Sequence, residues 1–101
     1  MGYMLNISFM VEPTVYGSWY NFMFEKFIPF VKTKEEFIEP TFSRILSDGV
    51  NSHYTFSLLV HLQTLDGYNL FKNEIMHEYS EFAQPMFGAK VTHFMTLMKK
   101  I

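Results

Sequence analysis

The feature that most constrains the fold is the order of two hydrophobic patterns along the chain, a strand-like alternation and a helical spacing of three and four. Residues 3–11 alternate between two sets, which is the period-two pattern of a strand. One set is Tyr3, Leu5, Ile7, Phe9 and Val11, and the other is Met4, Asn6, Ser8 and Met10. After Pro13, apolar residues recur at spacings of three and four up to about Val31, which predicts a helix. Pro29 predicts that this helix is kinked or ends near Ile28.

The middle of the chain predicts two strands joined as a hairpin. A strand is predicted over residues 37–46, and Pro40 within it indicates a sheet edge or a bulge. Residues 47–51 have the composition of a hairpin turn, because Asp48-Gly49 supplies a residue that tolerates positive φ. Residues 53–62 then alternate again and predict a third strand.

The last third of the chain predicts a second helix and a fourth strand. Thr64 or Asp66 is a suitable N-cap for this helix. Its apolar stripe has spacings of 3, 4, 4 and 3 and consists of Tyr68, Phe71, Ile75, Tyr79 and Phe82. Pro85 and Gly88 are expected to end the helical region, and the last strand is predicted over residues 89–98.

The resulting order, β-α-β-β-α-β in 101 residues, predicts a single ferredoxin-like α+β domain over residues 1–101. Right-handed crossovers place both helices on one face of a four-stranded antiparallel sheet, with the first and third strands in the middle. The face toward the helices is predicted to carry Leu5, Ile7, Phe9, Phe56, Leu58 and Val60.

The opposite face of the sheet has a composition that suits burial against a second copy. It is predicted to carry Met4, Asn6, Ser8, Met10, Thr55, Ser57, Leu59 and His61. A fully solvated face would be rich in lysine and glutamate, whereas this one mixes apolar and small polar residues. We therefore predict a homodimer, with Asn6, Ser8, Met10, Thr55, Ser57 and Leu59 at its interface; the alternative is a monomer with one open face.

Short motifs give the chain a resemblance to a known family. They are Trp19-x-x-Phe22-Met23, Ile28-Pro29 and Phe87-Gly88-Ala89-Lys90. Together with the element order, they resemble a bacterial family of about 100 residues that is classed only as a domain of unknown function. That family resembles the dimeric α+β barrel superfamily, in which two ferredoxin-like sheets face each other. The family pattern often has histidine directly before Ile-Pro, where this chain has Phe27.

The resemblance implies a range of activities but no site residues. Superfamily relatives include quinone-forming monooxygenases, haem-degrading enzymes, and lyases and isomerases of small aromatic compounds. Because they share no single set of catalytic residues, candidate residues have to come from this sequence alone.

The candidate site residues are few. The weak catalytic candidates are His61, Arg44 and Tyr54. His61 is predicted on a central strand, and histidine titrates near neutrality. Arg44, the only arginine, is predicted on an edge strand and can hold a carboxylate or phosphate. Trp19, Tyr3 and His93 are predicted to line a ligand pocket between the helices and the sheet. The competing interpretation is that each of these residues serves packing, hydrogen bonding or a surface salt bridge.

Composition excludes several other classes of protein. There is no cysteine, and no spacing typical of a metal site or of a cofactor motif occurs, so no metal and no cofactor are predicted. The net charge of −2 argues against nucleic-acid binding. No signal peptide or membrane-spanning run is recognisable, which indicates a cytoplasmic protein without a membrane partner.

Two functions are therefore carried forward from the sequence. The first is a homodimeric ligand-binding or interaction module, with a small molecule as its other partner. The alternative is a cofactor-independent enzyme of the monooxygenase or isomerase type that acts on a small aromatic or quinone-like substrate. Haem binding through His61 or His93 is a third hypothesis.

Overall fold

The computed structural model of the chain describes residues 2–46 and 54–101. In these ranges a four-stranded antiparallel sheet has the order β2-β3-β1-β4. Its strands are β1 (Tyr3–Val11), β2 (Ile38–Arg44), β3 (Tyr54–Leu62) and β4 (Val91–Lys99). The first and third strands are central, as predicted. The predicted turn at 47–51 and His53 lie outside the described residues.

The first helical segment passes Pro29 without ending, because a wider turn precedes the proline. The segment consists of a 3₁₀ turn Pro13–Val15, α1 Tyr16–Phe22, a π-helical turn Met23–Phe27 and α2 Ile28–Lys32. A proline ring clashes with the carbonyl four residues earlier in a regular α-helix. The amide of Ile28 instead bonds to the carbonyl of Met23, five residues back, so the π turn gives Pro29 room.

The second helical segment is longer than predicted. It consists of α3 Leu65–Leu70, a π-helical turn Phe71–Ile75 and α4 Met76–Phe87, followed by a 3₁₀ turn Gly88–Lys90. The prediction that Pro85 breaks the chain is wrong, since Pro85 lies inside α4 and the helix ends at Gly88, which has a φ of 55°. Burial of Ala83 and Phe87, each 5% exposed, holds the final turn in place. Thr64 occupies the N-cap position but makes no side-chain cap hydrogen bond.

The core lies between the sheet and the two helical segments. All six residues predicted for the helix-facing side of β1 and β3 are at most 2% exposed. The register across the central strands places Phe9 opposite both Phe56 and His93, so these three side chains share the helix-facing side. The predicted ferredoxin-like α+β fold is confirmed.

The edge strand β2 is irregular near Pro40. Its pairing with β3 shifts between Ile38 and Thr41, and Glu39 has a φ of 51°. Proline cannot donate to a sheet ladder, which accounts for a bulge at this place. Among the described helices, none is both long enough and apolar enough to span a membrane.

Candidate functional site

The side of the sheet that faces away from the helices carries no charged residue. We call it the open sheet face. Strand register assigns to it Met4, Asn6, Ser8, Met10, Ile38, Thr41, Ser43, Thr55, Ser57, Leu59, His61, Thr92, Phe94, Thr96 and Met98. None of these fifteen side chains is Asp, Glu, Lys or Arg. A sheet face that meets only water normally carries charges, so this composition points to a covered surface.

A short hydrogen-bonded network lies at the centre of the open sheet face. The hydroxyl of Ser57 donates to the side-chain carbonyl of Asn6, and the Asn6 amide donates to the Ser8 hydroxyl at 3.0 Å. Ser8 is only 6% exposed even though it points away from the helices. These polar groups are satisfied within the sheet, so covering them would not leave them without partners.

Two further residues of the open sheet face, His61 and Phe94, have unusual surroundings. Nδ1 of His61 is buried and has no hydrogen-bond partner among the described residues. His61 lies in one row with Met4 and Ile38, which offer it no polar contact. Phe94 lies opposite Ser8 and is 54% exposed, which is unusual for a phenylalanine at the middle of a strand.

On the other side of the sheet, aromatic rings gather around Phe9. Its ring centroid lies 5.3 Å from Trp19, 5.4 Å from Tyr79 and 6.0 Å from His93. The rings of Tyr79 and His93 meet edge to face at 5.7 Å. Trp19 is fully buried, and its Nε1–H donates to the hydroxyl of Tyr79 at 3.1 Å. We call Phe9, Trp19, Tyr79 and His93 the aromatic centre.

Burial sets the protonation of both titratable groups in the aromatic centre. Burial raises the pKa of Tyr79 to about 12, and the hydrogen bond from Trp19 offsets only part of this rise. Burial also lowers the pKa of His93, even though this edge-strand residue is exposed elsewhere on its surface. A small cavity between α4 and β4 is lined by both residues and by Ser80 and Gln84. At neutral pH the cavity therefore presents a neutral phenol and a neutral imidazole.

Arg44 and Tyr54 meet at the other edge of the sheet. The Arg44 guanidinium lies 4.5 Å from the centroid of the Tyr54 ring, and Tyr54 packs edge to face on Tyr16 at 4.8 Å. Phe56 connects this cluster to the aromatic centre, since its ring lies 5.1 Å from Trp19.

The structure brings some of the predicted site residues together and separates others. Trp19 and His93 meet through Phe9 and Tyr79, whereas Tyr3 lies six residues along β1 from Phe9, about 20 Å away. His61 lies on the opposite face of the sheet from all of them. The predicted interface residues Asn6, Ser8, Met10, Thr55, Ser57 and Leu59 share the open sheet face.

Two residues of these sites were missed in the sequence. The sequence pattern identifies Tyr79 only as a member of the apolar stripe, although a buried tyrosine hydroxyl normally needs a partner. Phe94 alternates with His93 and Met95, and pairing this alternation with β1 would have placed it on the open sheet face. The sequence analysis predicts the residues of this face only for the first and third strands, so Phe94 is not among them. Across residues 2–46 and 54–101, no group of three His, Cys, Asp or Glu could hold a metal ion.

The fold and the uncharged sheet face define a small ferredoxin-like α+β protein. The chain belongs to the family described as Domain of unknown function (DUF4286), whose model matches residues 2–101. The resemblance noted in the sequence to a family of unknown function is thereby confirmed. No curated protein shows significant sequence similarity to the chain.

Solved structures share the fold at low sequence identity. A protein from Bacillus halodurans described as an ethyl tert-butyl ether d (ethd) family protein has a TM-score of 0.68 at 12% identity, with all of both chains covered. A dimeric ferredoxin-like protein from an uncultured marine organism has a TM-score of 0.60 at 5% identity, covering 99% of this chain and 98% of that one. A Bordetella bronchiseptica protein named after antibiotic biosynthesis monooxygenases has a TM-score of 0.62 at 11% identity, covering 100% and 99%. At these identities the likeness extends to the fold alone.

Proposed function

We propose that the protein is a cytoplasmic homodimeric binding module in which the open sheet faces of two copies cover each other. The observation that carries this proposal is the complete absence of charged side chains among the fifteen residues of that face. Interface cores are depleted of charged residues and enriched in aromatic residues and methionine. Phe94 and three methionines, Met4, Met10 and Met98, fit that composition.

The size of the face suits a second copy. Strands about 4.8 Å apart and nine residues long present on the order of 500 Å² on one side of the sheet. Two facing copies would bury on the order of 1,000 Å², about the minimum expected of a biological interface. The dimeric state of one structural neighbour supports the same assembly.

The central polar network also favours a partner over water. Asn6, Ser8 and Ser57 satisfy one another, so little polar free energy is lost when a second sheet covers them. The unpartnered Nδ1 of His61 is a buried polar atom to which a residue of the second copy can hydrogen-bond. A two-fold axis would then bring the same surface patch of both copies together.

The oligomeric state of matched lysine variants tests the dimer. Thr96→Lys adds a charge to the open sheet face at an exposed position on the edge strand β4, and Asn69→Lys adds the same charge to the exposed surface of α3. By light scattering after size exclusion, we expect a dimer for the wild type and for Asn69→Lys, and a folded monomer for Thr96→Lys. A monomeric wild type, or a Thr96→Lys dimer as stable as the wild type, would contradict the proposal.

A cofactor-independent enzyme is the second candidate function, and the aromatic centre favours it. Neutral His93 can accept a proton from an acidic phenol-like substrate, and the hydroxyl of Tyr79 can donate to the oxyanion that forms. In the part of the chain that the structure describes, the Tyr79 proton has no acceptor. The monooxygenase name of one structural neighbour supports this candidate.

Oxygen consumption with a simple hydroquinone tests the enzyme candidate. We expect the wild type to accelerate consumption over buffer, and His93→Gln to lose this acceleration while keeping its fold. His77→Gln is the matched control, because His77 is an exposed histidine on α4, 67% exposed in its side chain. Equal rates for the wild type, His93→Gln and buffer would remove the enzyme candidate.

A further inference from the structure

A groove lined by aromatic rings runs between the first helical segment and β2. Its walls come from five aromatic side chains, and Ser43 and Arg44 complete the lining; the aromatic residues are Tyr16, Tyr20, Phe24, Phe42 and Phe56. We call it the aromatic groove. Its aromatic walls and Arg44 lie on the helix side of the sheet, whereas Ser43 is a residue of the open sheet face.

Three of the rings that line the groove are nearly parallel. The planes of Tyr16 and Phe56 differ by 14° at a centroid distance of 5.8 Å, and those of Phe42 and Phe56 differ by 13° at 5.5 Å. Phe24 stands edge-on to Phe42 at 5.7 Å and is 50% exposed. Near-parallel rings next to an exposed edge offer both stacking and edge-to-face contacts to another planar ring.

The volume of the groove limits what it can hold. It measures about 120 Å³. An apolar protein cavity of about 150 Å³ accommodates benzene. The aromatic groove is therefore of the size for one six-membered ring, with any substituent pointing out toward Arg44.

The positive charge of Arg44 indicates which substituent a bound aromatic ring would carry. Arg44 is the only arginine of the chain, and it is exposed. No carboxylate of the described residues lies within 4.0 Å of Arg44, and no acidic residue lines the groove. Within residues 2–46 and 54–101, no hydrogen bond or ion pair engages the planar fork of guanidinium donors, which packs on the ring of Tyr54, 4.5 Å away. A planar carboxylate matches that fork with two parallel hydrogen bonds.

The geometry points to a binding site for single-ring aromatic carboxylates in the aromatic groove. The ring of the ligand packs against Phe42 and Tyr16, and its carboxylate binds the Arg44 guanidinium. Tyr54 holds the guanidinium in place from the other side. The site is one of molecular recognition, and no covalent step is required of it.

Titration calorimetry on the full-length chain tests this site with four probes: benzoate, salicylate, 4-hydroxybenzoate and phenylacetate. We expect saturable binding of at least one acid in the millimolar range or tighter, as befits a ligand of so few atoms. Benzamide keeps the ring of benzoate and removes its charge, and it should bind about tenfold more weakly than benzoate.

Two charge-matched variants separate the specific site from general attraction of anions. Arg44→Gln should weaken the best acid by about tenfold or more, and Arg44→Lys should recover only part of this loss. Lys72→Gln removes an exposed cation that also lies over a tyrosine ring, 6.0 Å from Tyr68, and it should leave binding unchanged.

The binding results for the acids, for benzamide and for the variants either support the site or exclude it. The inference is overturned if none of the four acids binds saturably, if benzamide binds as well as benzoate, or if Arg44→Gln and Lys72→Gln behave alike. Because Arg44 lies away from the open sheet face, Arg44→Gln should keep the oligomeric state of the wild type. A loss of acid binding in this variant therefore does not depend on whether the proposed dimer forms.

Discussion

The indole of Trp19 and the hydroxyl of Tyr79, sixty positions apart in the sequence, are joined by a buried hydrogen bond of 3.1 Å. It connects the first helical segment to α4 directly above Phe9 on the central strand β1. A buried indole N–H without an acceptor is costly, so each of the two residues makes the other tolerable in the core. This contact joins the two helical segments over the sheet.

Replacing Tyr79 by phenylalanine should lower the free energy of unfolding by about 1 to 3 kcal/mol, because Trp19 then buries an unsatisfied donor. In a Trp19→Phe background, Tyr79→Phe should lower the free energy of unfolding by about 1 kcal/mol less, because the indole N–H donor is then absent. Urea unfolding of the wild type, both single variants and the double variant measures this coupling. Strictly additive changes would show that the hydrogen bond contributes nothing to stability.

The depressed pKa of His93 predicts a loss of stability in mild acid. In the unfolded chain His93 binds a proton below its ordinary pKa of 6.5, whereas in the folded chain it binds that proton only at a lower pH. The contribution of His93 is therefore fully present above pH 6.5 and is lost as the pH falls from there through the folded pKa. His93→Gln should weaken this dependence.

Thermal unfolding between about pH 7.5 and about pH 5 measures the effect of His93. The melting temperature of the wild type should fall more steeply toward low pH than that of His93→Gln. The other three histidines are present in both proteins, so the difference between the two curves reports on His93. Parallel curves would contradict the desolvation of this side chain.

Two glycines of the helical segments should respond oppositely to alanine. Gly88 has a φ of 55° at the end of α4, a conformation that disfavours any Cβ, so Gly88→Ala should destabilise by about 1 to 3 kcal/mol. Gly17 lies in α1, and a Cβ there would meet no atom within 4 Å. Gly17→Ala should therefore stabilise by about 0.5 to 1 kcal/mol. Chemical denaturation measures the free energy of unfolding of both variants. A destabilised Gly17→Ala variant would contradict the prediction for Gly17.

Local periodicity predicted the sheet and its buried side well, because the alternation in residues 3–11 and 54–62 is a direct consequence of burial on one face. Leu5 and Leu58 were placed correctly for that reason. The course of the helical segments was harder to predict. A proline rule that holds for isolated helices predicted a break at Pro85, whereas burial of Phe87 outweighs it here.

The candidate sites were less predictable than the fold, because they depend on contacts between residues far apart in the sequence. Trp19 and His93 were both singled out, but the residue that joins them, Tyr79, looked like an ordinary member of an apolar stripe. Arg44 and Tyr54 are neighbours only because β2 and β3 pair in one particular register. Phe94 reaches the open sheet face through the register of β4 with β1, which periodicity within β4 alone does not determine.

The central claim, that two open sheet faces cover each other, is tested most directly by the distance between two copies. The chain contains no cysteine, so Glu78→Cys on the exposed surface of α4 gives a single site for a spin label. With the sheets facing each other and the helices outside, pulsed dipolar spectroscopy should find a discrete distance between labels of at least about 30 Å. A distance below about 20 Å, which would place the helices at the interface, or no dipolar signal at all, would contradict the account.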